Sequence, residues 1–225
     1  MKTFNYHHCQ RKIDSASMEN RDMRQPELPG PGGYPLEIPD DLHQRLWKDI
    51  DSDTDSDDTW TPLEEVSETG KSIILRAENS IRKHPREHLR VFDLNGGERY
   101  RKTGEPDRVP IDLSIIPGQI VTHNHPRGLP PSIQDILVGH AGSALEIRVV
   151  TGIFTYAIRF PENISQTELK SGWDHLSRLG MAVGWEWSRS RRGNPEDDTI
   201  RRALHAALME LARRGVLKYR RDRDV

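Results

Sequence analysis

The turn signal Asn95-Gly96-Gly97, set between two short β-patterned runs, is the feature that most restricts the fold. Asn-Gly and Gly-Gly pairs supply the positive φ angles that tight hairpins need. Residues 87–94 (EHLRVFDL) read as the strand entering the turn, with Leu89 and Val91 on the same side as Glu87. Residues 98–102 return from it. Before this hairpin, residues 63–83 carry Ile73, Ile74, Ala77 and Ile81 at helical spacing, and Pro85 ends the run. After it come a short strand at 118–123 (GQIVTH), a helix at 132–142, and two strands at 145–151 and 154–160 joined by a turn at Gly152. Helices alternating with hairpins predict an α/β (α+β) domain, a mixed sheet flanked by helices, over residues 61–165. The last third, 166–225, is expected to be a helical extension. Its best helix is 196–214, with Ile200, Leu204, Ala207, Leu208 and Leu211 on one face.

The first sixty residues have a different texture. Pro26, Pro29, Pro31, Pro35 and Pro39 crowd together with Gly30, Gly32 and Gly33, which reads as linker. A short amphipathic helix is expected at 40–50, where Leu42, Leu46, Trp47 and Ile50 share a face. It is followed by the acidic run Asp51, Asp53, Asp55, Asp57 and Asp58. Asp53, Asp55, Asp57 and Glu64 have the spacing of a calcium loop, but the sixth position holds Asp58 instead of the turn glycine, and Pro62 interrupts it. The run therefore reads as a solvated linker. This division explains why only 34% of the 225 residues are hydrophobic and mean hydropathy is −0.77.

Composition also excludes functions. The single cysteine, Cys9, rules out internal disulfides and Cys-rich zinc sites. No apolar run reaches a membrane span, and residues 1–10 lack a signal-peptide core, so a soluble cytoplasmic protein is expected. A net charge of −2 gives no overall case for a nucleic-acid binder. The tail 189–225 is locally basic, with eleven basic and six acidic residues, which leaves a phosphate-backbone contact open.

The segment 120–135, IVTHNHPRGLPPSIQD, carries the chemistry. On an extended strand His123 and His125 point to the same side, so two imidazole lone pairs converge. Two histidines supply half of a tetrahedral zinc site. The loop from Pro126 to Ser132 holds three prolines and a glycine. Asp135, in the first turn of the following helix, is the natural third ligand, which would leave a fourth position open for water. Ser132 would stand close enough to stabilise an oxyanion. Ser132-x-x-Asp135 also has the form of a capping box, and both readings stand.

The string THNHPRGLPPSIQD resembles the signature of the JAMM (MPN-plus, JAB) metalloprotease family, closest in texture to its RadC-type and phage-associated branches. The resemblance covers about residues 70–160. It implies a JAMM/cytidine-deaminase-like sheet, zinc on His123, His125 and Asp135, an oxyanion-stabilising Ser132, and a general base on an upstream strand. Glu87 fits that base best and Glu78 is the alternative. The loop between His125 and Ser132 has six residues where the family usually has seven, and the gap from Glu87 to His123 is short. The implied activity is zinc-dependent hydrolysis of a peptide or isopeptide bond, on a protein or peptide partner that is often ubiquitin-like. A non-catalytic metal-binding module of phage or mobile-element origin is the competing expectation, with a nuclease behind it. A zinc deaminase is excluded because its H-x-E and P-C-x-x-C ligands are missing.

Overall fold

The computed structural model describes residues 37–53, 60–191 and 195–223. Among the described residues six short strands form, the central β3, β4 and β5 rich in β-branched and aromatic residues: β1 (His88–Phe92), β2 (Glu98–Thr103), β3 (Ile120–Asn124), β4 (Glu146–Val150), β5 (Phe154–Arg159) and β6 (Lys218–Arg223). They pair into one sheet in the order β2-β1-β3-β4-β5-β6. β3 and β4 run parallel and the other neighbours antiparallel, so the sheet is mixed and the fold α/β. The β1–β2 turn forms at Asn95-Gly96-Gly97 as the sequence predicts. Gly96 takes a φ of 81°, and Asp93 Oδ1 accepts from the Asn95 and Gly97 amides at 2.9 and 2.8 Å.

The described residues also hold five α-helices: α1 (Asp40–Ser52), α2 (Glu68–Ile81), α3 (Ile133–Ala141), α4 (Gln166–Ser190) and α5 (Glu196–Arg213). α2 covers one face of the sheet, where Ile74 and Ala77 meet Phe92 and Ile120. The larger core lies on the other face. There Leu89, Val91, Val121, Ile147, Val149, Tyr156 and Tyr219 pack against apolar stripes of α1, α3, α4 and α5. Gly180 and Gly184 of α4 make this possible: a Cβ at Gly180 would sit 2.6 Å from the Ala203 carbonyl, and one at Gly184 2.9 Å from the Ala203 Cβ.

Three expectations change. The boundary expected at 165/166 does not divide the structure, since Ile38–Val225 is one unit. The C-terminal residues 218–223, expected within a helical extension, form strand β6 on the edge of the same sheet. Residues 40–52 also belong to this unit and are not linker. Asp49 takes two bonds from Arg213, at 2.7 and 2.9 Å, and Asp53 two from Arg201, at 2.9 and 3.0 Å. Several basic residues of the tail are engaged in the same way. Arg202 pairs with Asp198, Arg214 with Glu210, and Arg221 with Asp53. Of the calcium-loop positions, Asp55 and Asp57 lie outside the described residues. Asp53 and Glu64 are held by arginines, the latter by Arg159 at 3.1 Å. Among the described residues, no helix is long and apolar enough to cross a membrane.

Candidate metal centre

Strand β3 is buried along its whole length between β1 and β4. The His125 amide donates to the Val150 carbonyl at 3.0 Å, so the extended backbone continues past the strand's last residue. His123 and His125 therefore stay on one face, the side of the larger core, and Thr122 and Asn124 point to the other. A turn at Gly128, with φ 77°, reverses the chain. The His125 Nδ1 then donates to the Leu129 carbonyl at 3.0 Å. That bond places the His125 proton on Nδ1 and leaves the Nε2 lone pair for the site.

Ser132 caps α3. Its hydroxyl accepts from the Asp135 amide at 3.3 Å and donates to Asp135 Oδ2 at 2.8 Å. The Ser132 amide donates to the same Oδ2 at 2.6 Å, which completes the capping box. The cap does not turn the carboxylate away from the histidines: Oδ2 takes both Ser132 bonds and still faces His125, and Oδ1 faces His123. The Ser132 proton is directed at Asp135, so in this arrangement the residue orients the carboxylate.

The donor atoms converge. His123 Nε2 lies 3.0 Å from His125 Nε2 and 3.2 Å from Asp135 Oδ1, and His125 Nε2 lies 3.4 Å from Asp135 Oδ2. A tetrahedral ion with arms of about 2.0–2.1 Å needs donors about 3.3 Å apart. Among the described residues this is the group of metal-ligating side chains that can hold one ion. The shorter loop, with six residues between His125 and Ser132, does not separate Asp135 from the histidines. The His123 Nδ1 is buried without a hydrogen-bond partner, so packing and the converging donors alone orient that ring. Burial opposes the charge of Asp135, but the two imidazoles outweigh it and hold the carboxyl well below the usual range. Burial disfavours a charged His125, and Asp135 more than offsets that, raising its pKa.

Glu87 precedes β1, and its backbone pairs with the far side of the hairpin: its amide donates to the Glu105 carbonyl at 2.9 Å. Leu89 lies opposite His123 in the β1–β3 register, so two residues earlier Glu87 falls opposite His125, on the same face. It is 7% exposed, unlike an ordinary solvated residue at the start of a strand. Burial pushes its carboxyl up, and the charges of His123 and His125 only partly offset this. Glu78, the alternative base, is elsewhere. It lies on the α2 face with its carboxylate taken by Arg148 and Thr122, at 2.6 and 3.0 Å from Oε1. Asn124, which sequence reasoning passed over as the spacer in H-x-H, is wholly buried and bonded to the segment that carries Glu87. Its polarity amid a buried run was the available signal.

No protein-family model matches the chain, and neither a curated protein nor a solved structure matches it. The likeness to the JAMM signature rests on the residues of this segment alone.

Proposed function

We propose that the chain is a zinc-dependent hydrolase of JAMM type that cleaves a peptide or isopeptide bond. The observation that carries this reading is the convergence of two imidazole nitrogens and one carboxylate at separations of 3.0–3.4 Å, with a buried glutamate on the same face. Mixed nitrogen and oxygen donors at tetrahedral spacing favour zinc over calcium or magnesium, which take all-oxygen shells. Three protein ligands leave a position open, as in catalytic sites. When bound there, zinc would polarise the scissile carbonyl and lower the pKa of a water to about 7.

The chain's own groups supply the rest. Glu87 takes the proton of the attacking water and returns it to the leaving amine. Its raised pKa brings it closer to neutrality, where one group serves as base and then as acid. Ser132 holds Asp135 in its ligating orientation, and the Leu129 carbonyl holds His125. The substrate is a protein or peptide, with a ubiquitin-like partner the class that the resemblance implies. The buried acid beside the triad favours this reading over a non-catalytic module, which has no use for one.

Elemental analysis of the purified chain tests the site, and a panel of peptide and isopeptide substrates tests the activity. A single zinc per chain, lost in His123→Ala, is expected. Glu87→Gln should keep the zinc and slow hydrolysis by a factor of about 10²–10⁴. Absence of zinc after reconstitution, or full activity in Glu87→Gln, overturns the assignment.

A further inference from the structure

A strand that presents ligands on one face has a second face free for another task. In β3 that face belongs to Asn124, which is wholly buried. Its Oδ1 accepts from the His88 amide at 2.7 Å. Its Nδ2 donates to the carbonyls of His84 and Arg86, at 3.1 and 3.0 Å. One backbone N–H and two carbonyls surround the side chain, so the carboxamide has a single satisfactory orientation. No carboxylate or hydroxyl meets one donor and two acceptors so placed.

The residues so held flank Glu87. Residues 82–87 belong to no helix or strand, being the connection between α2 and β1. Glu87 itself is held from the hairpin side, donating to Glu105 and accepting from Gly104 at 2.8 Å. Asn124 secures the residues on either side of it from the sheet side. The backbone of Glu87 is therefore fixed along both edges, which aims its side chain at the face where His123 and His125 converge.

We propose that Asn124 is a positioning residue: it locks the turn that carries Glu87 to the same strand that carries the two histidines, setting the base relative to the metal ligands. The proposal deepens the hydrolase reading and rests on Glu87 as the base. Asn124 touches neither metal nor substrate. Its removal should leave the donor set intact and free the base.

The test uses the full chain, with Asn124→Ala compared with wild type by hydrogen exchange, zinc content and kinetics. The His88 amide should exchange about tenfold faster, as one hydrogen bond is lost. The amides of Val121 and Val149, and the zinc content, should match wild type. Turnover should fall as far as in Glu87→Gln with KM held, and the double variant should be no slower than either single one. Unchanged exchange at His88, or independent losses in the double variant, overturns the proposal. If Asn124→Ala does not fold, the isosteric Asn124→Asp serves: it keeps the acceptor for His88 but sets a carboxylate against two carbonyls, and turnover should fall with zinc retained. Asn124 side-chain amide protons exchanging at the rate of free water in wild type would also overturn it. Exchange does not depend on catalysis. A chain that cleaves no substrate refutes the hydrolase reading, whereas exchange at His88 still decides the lock.

Discussion

Arg148 grips Glu78 at two points, Nε to Oε1 at 2.6 Å and Nη2 to Oε2 at 3.1 Å, with Glu78 wholly buried and Arg148 nearly so. The pair lies on the α2 face of the sheet. It continues through Glu146, which takes Arg148 Nη1 at 2.8 Å, to Arg159. Breaking such a pair leaves an uncompensated buried charge, so Glu78→Ala should lower stability by about 3–5 kcal/mol in urea denaturation. Replacing both partners with Glu78→Leu and Arg148→Met should restore most of the loss. Folded Glu78 variants should retain zinc and turnover. Loss of turnover at full zinc content would return Glu78 to consideration as the base.

Zinc should stabilise the chain by mass action. At a free concentration about a hundredfold above Kd the gain is about 2.7 kcal/mol, or about 5–10 °C in Tm for a domain of this size. The shift should be reversed by chelator and absent in Asp135→Ala. An equal shift in Asp135→Ala would mean that the ion binds elsewhere.

Gly139 lets helix α3, which carries Asp135, lie close on β4. A Cβ there would meet Ile147 Cδ1 at 1.8 Å and Cγ1 at 2.5 Å. Gly139→Ala should cost about 1–3 kcal/mol through overpacking. It should also weaken zinc binding, since α3 must move away from the strand. Adding Ile147→Val, which removes Cδ1, should recover part of both losses. Wild-type zinc affinity in Gly139→Ala would show that Asp135 is not set by this contact.

Acid should loosen the seam between α1 and the C-terminal segment. Burial opposes the charge of Asp53, but Arg201 and Arg221 hold its carboxyl far below the usual range. A carboxylate whose pKa falls on folding contributes its full stability above the unfolded value of about 3.9 and loses it as pH drops toward the folded value. Tm should therefore fall steeply below about pH 4, where the unfolded chain begins to take up the proton. Asp53→Asn, which tolerates the left-handed φ of 46° at this position, should lower Tm at pH 7 and flatten the dependence. Parallel curves for the two proteins would place the acid sensitivity in other groups.

Much of the sheet was legible because its signals are local. The strand expected at 118–123 lies at Ile120–Asn124, and the helix expected at 132–142 at Ile133–Ala141. The triad was legible for the same reason, since the period of two and a capped helix suffice to bring His123, His125 and Asp135 together. β6 was not. Its sequence KYRRDR has one apolar position, Tyr219, and its other inward residue is Arg221, fully buried over the Phe154 ring at 4.4 Å. A buried arginine is indistinguishable in sequence from a solvated one until its acid partner, Asp53, is located 168 positions away. The start of α2, expected at 63, falls at Glu68. The signal was Ser67, whose side chain accepts from the Gly70 amide at 3.1 Å. The sequence already favoured Glu87 over Glu78 as the base; what it could not show was where Glu78 goes, because helical spacing does not say which face of a sheet a helix will cover.

The central place of β3 makes the chain unequally tolerant of insertions and deletions. Its neighbours on both sides fix its register, so adding or removing one residue ahead of His123 would turn both imidazoles toward α2 and Asn124 toward the helices opposite. One length change would thus remove the ligands and the turn's anchor together. The connection from β2 to β3, residues 104–119, enters the sheet only at its ends and can change length without altering that alternation. Among descendants of this chain, gaps should collect there and stay out of the stretch from Ile120 to Asp135.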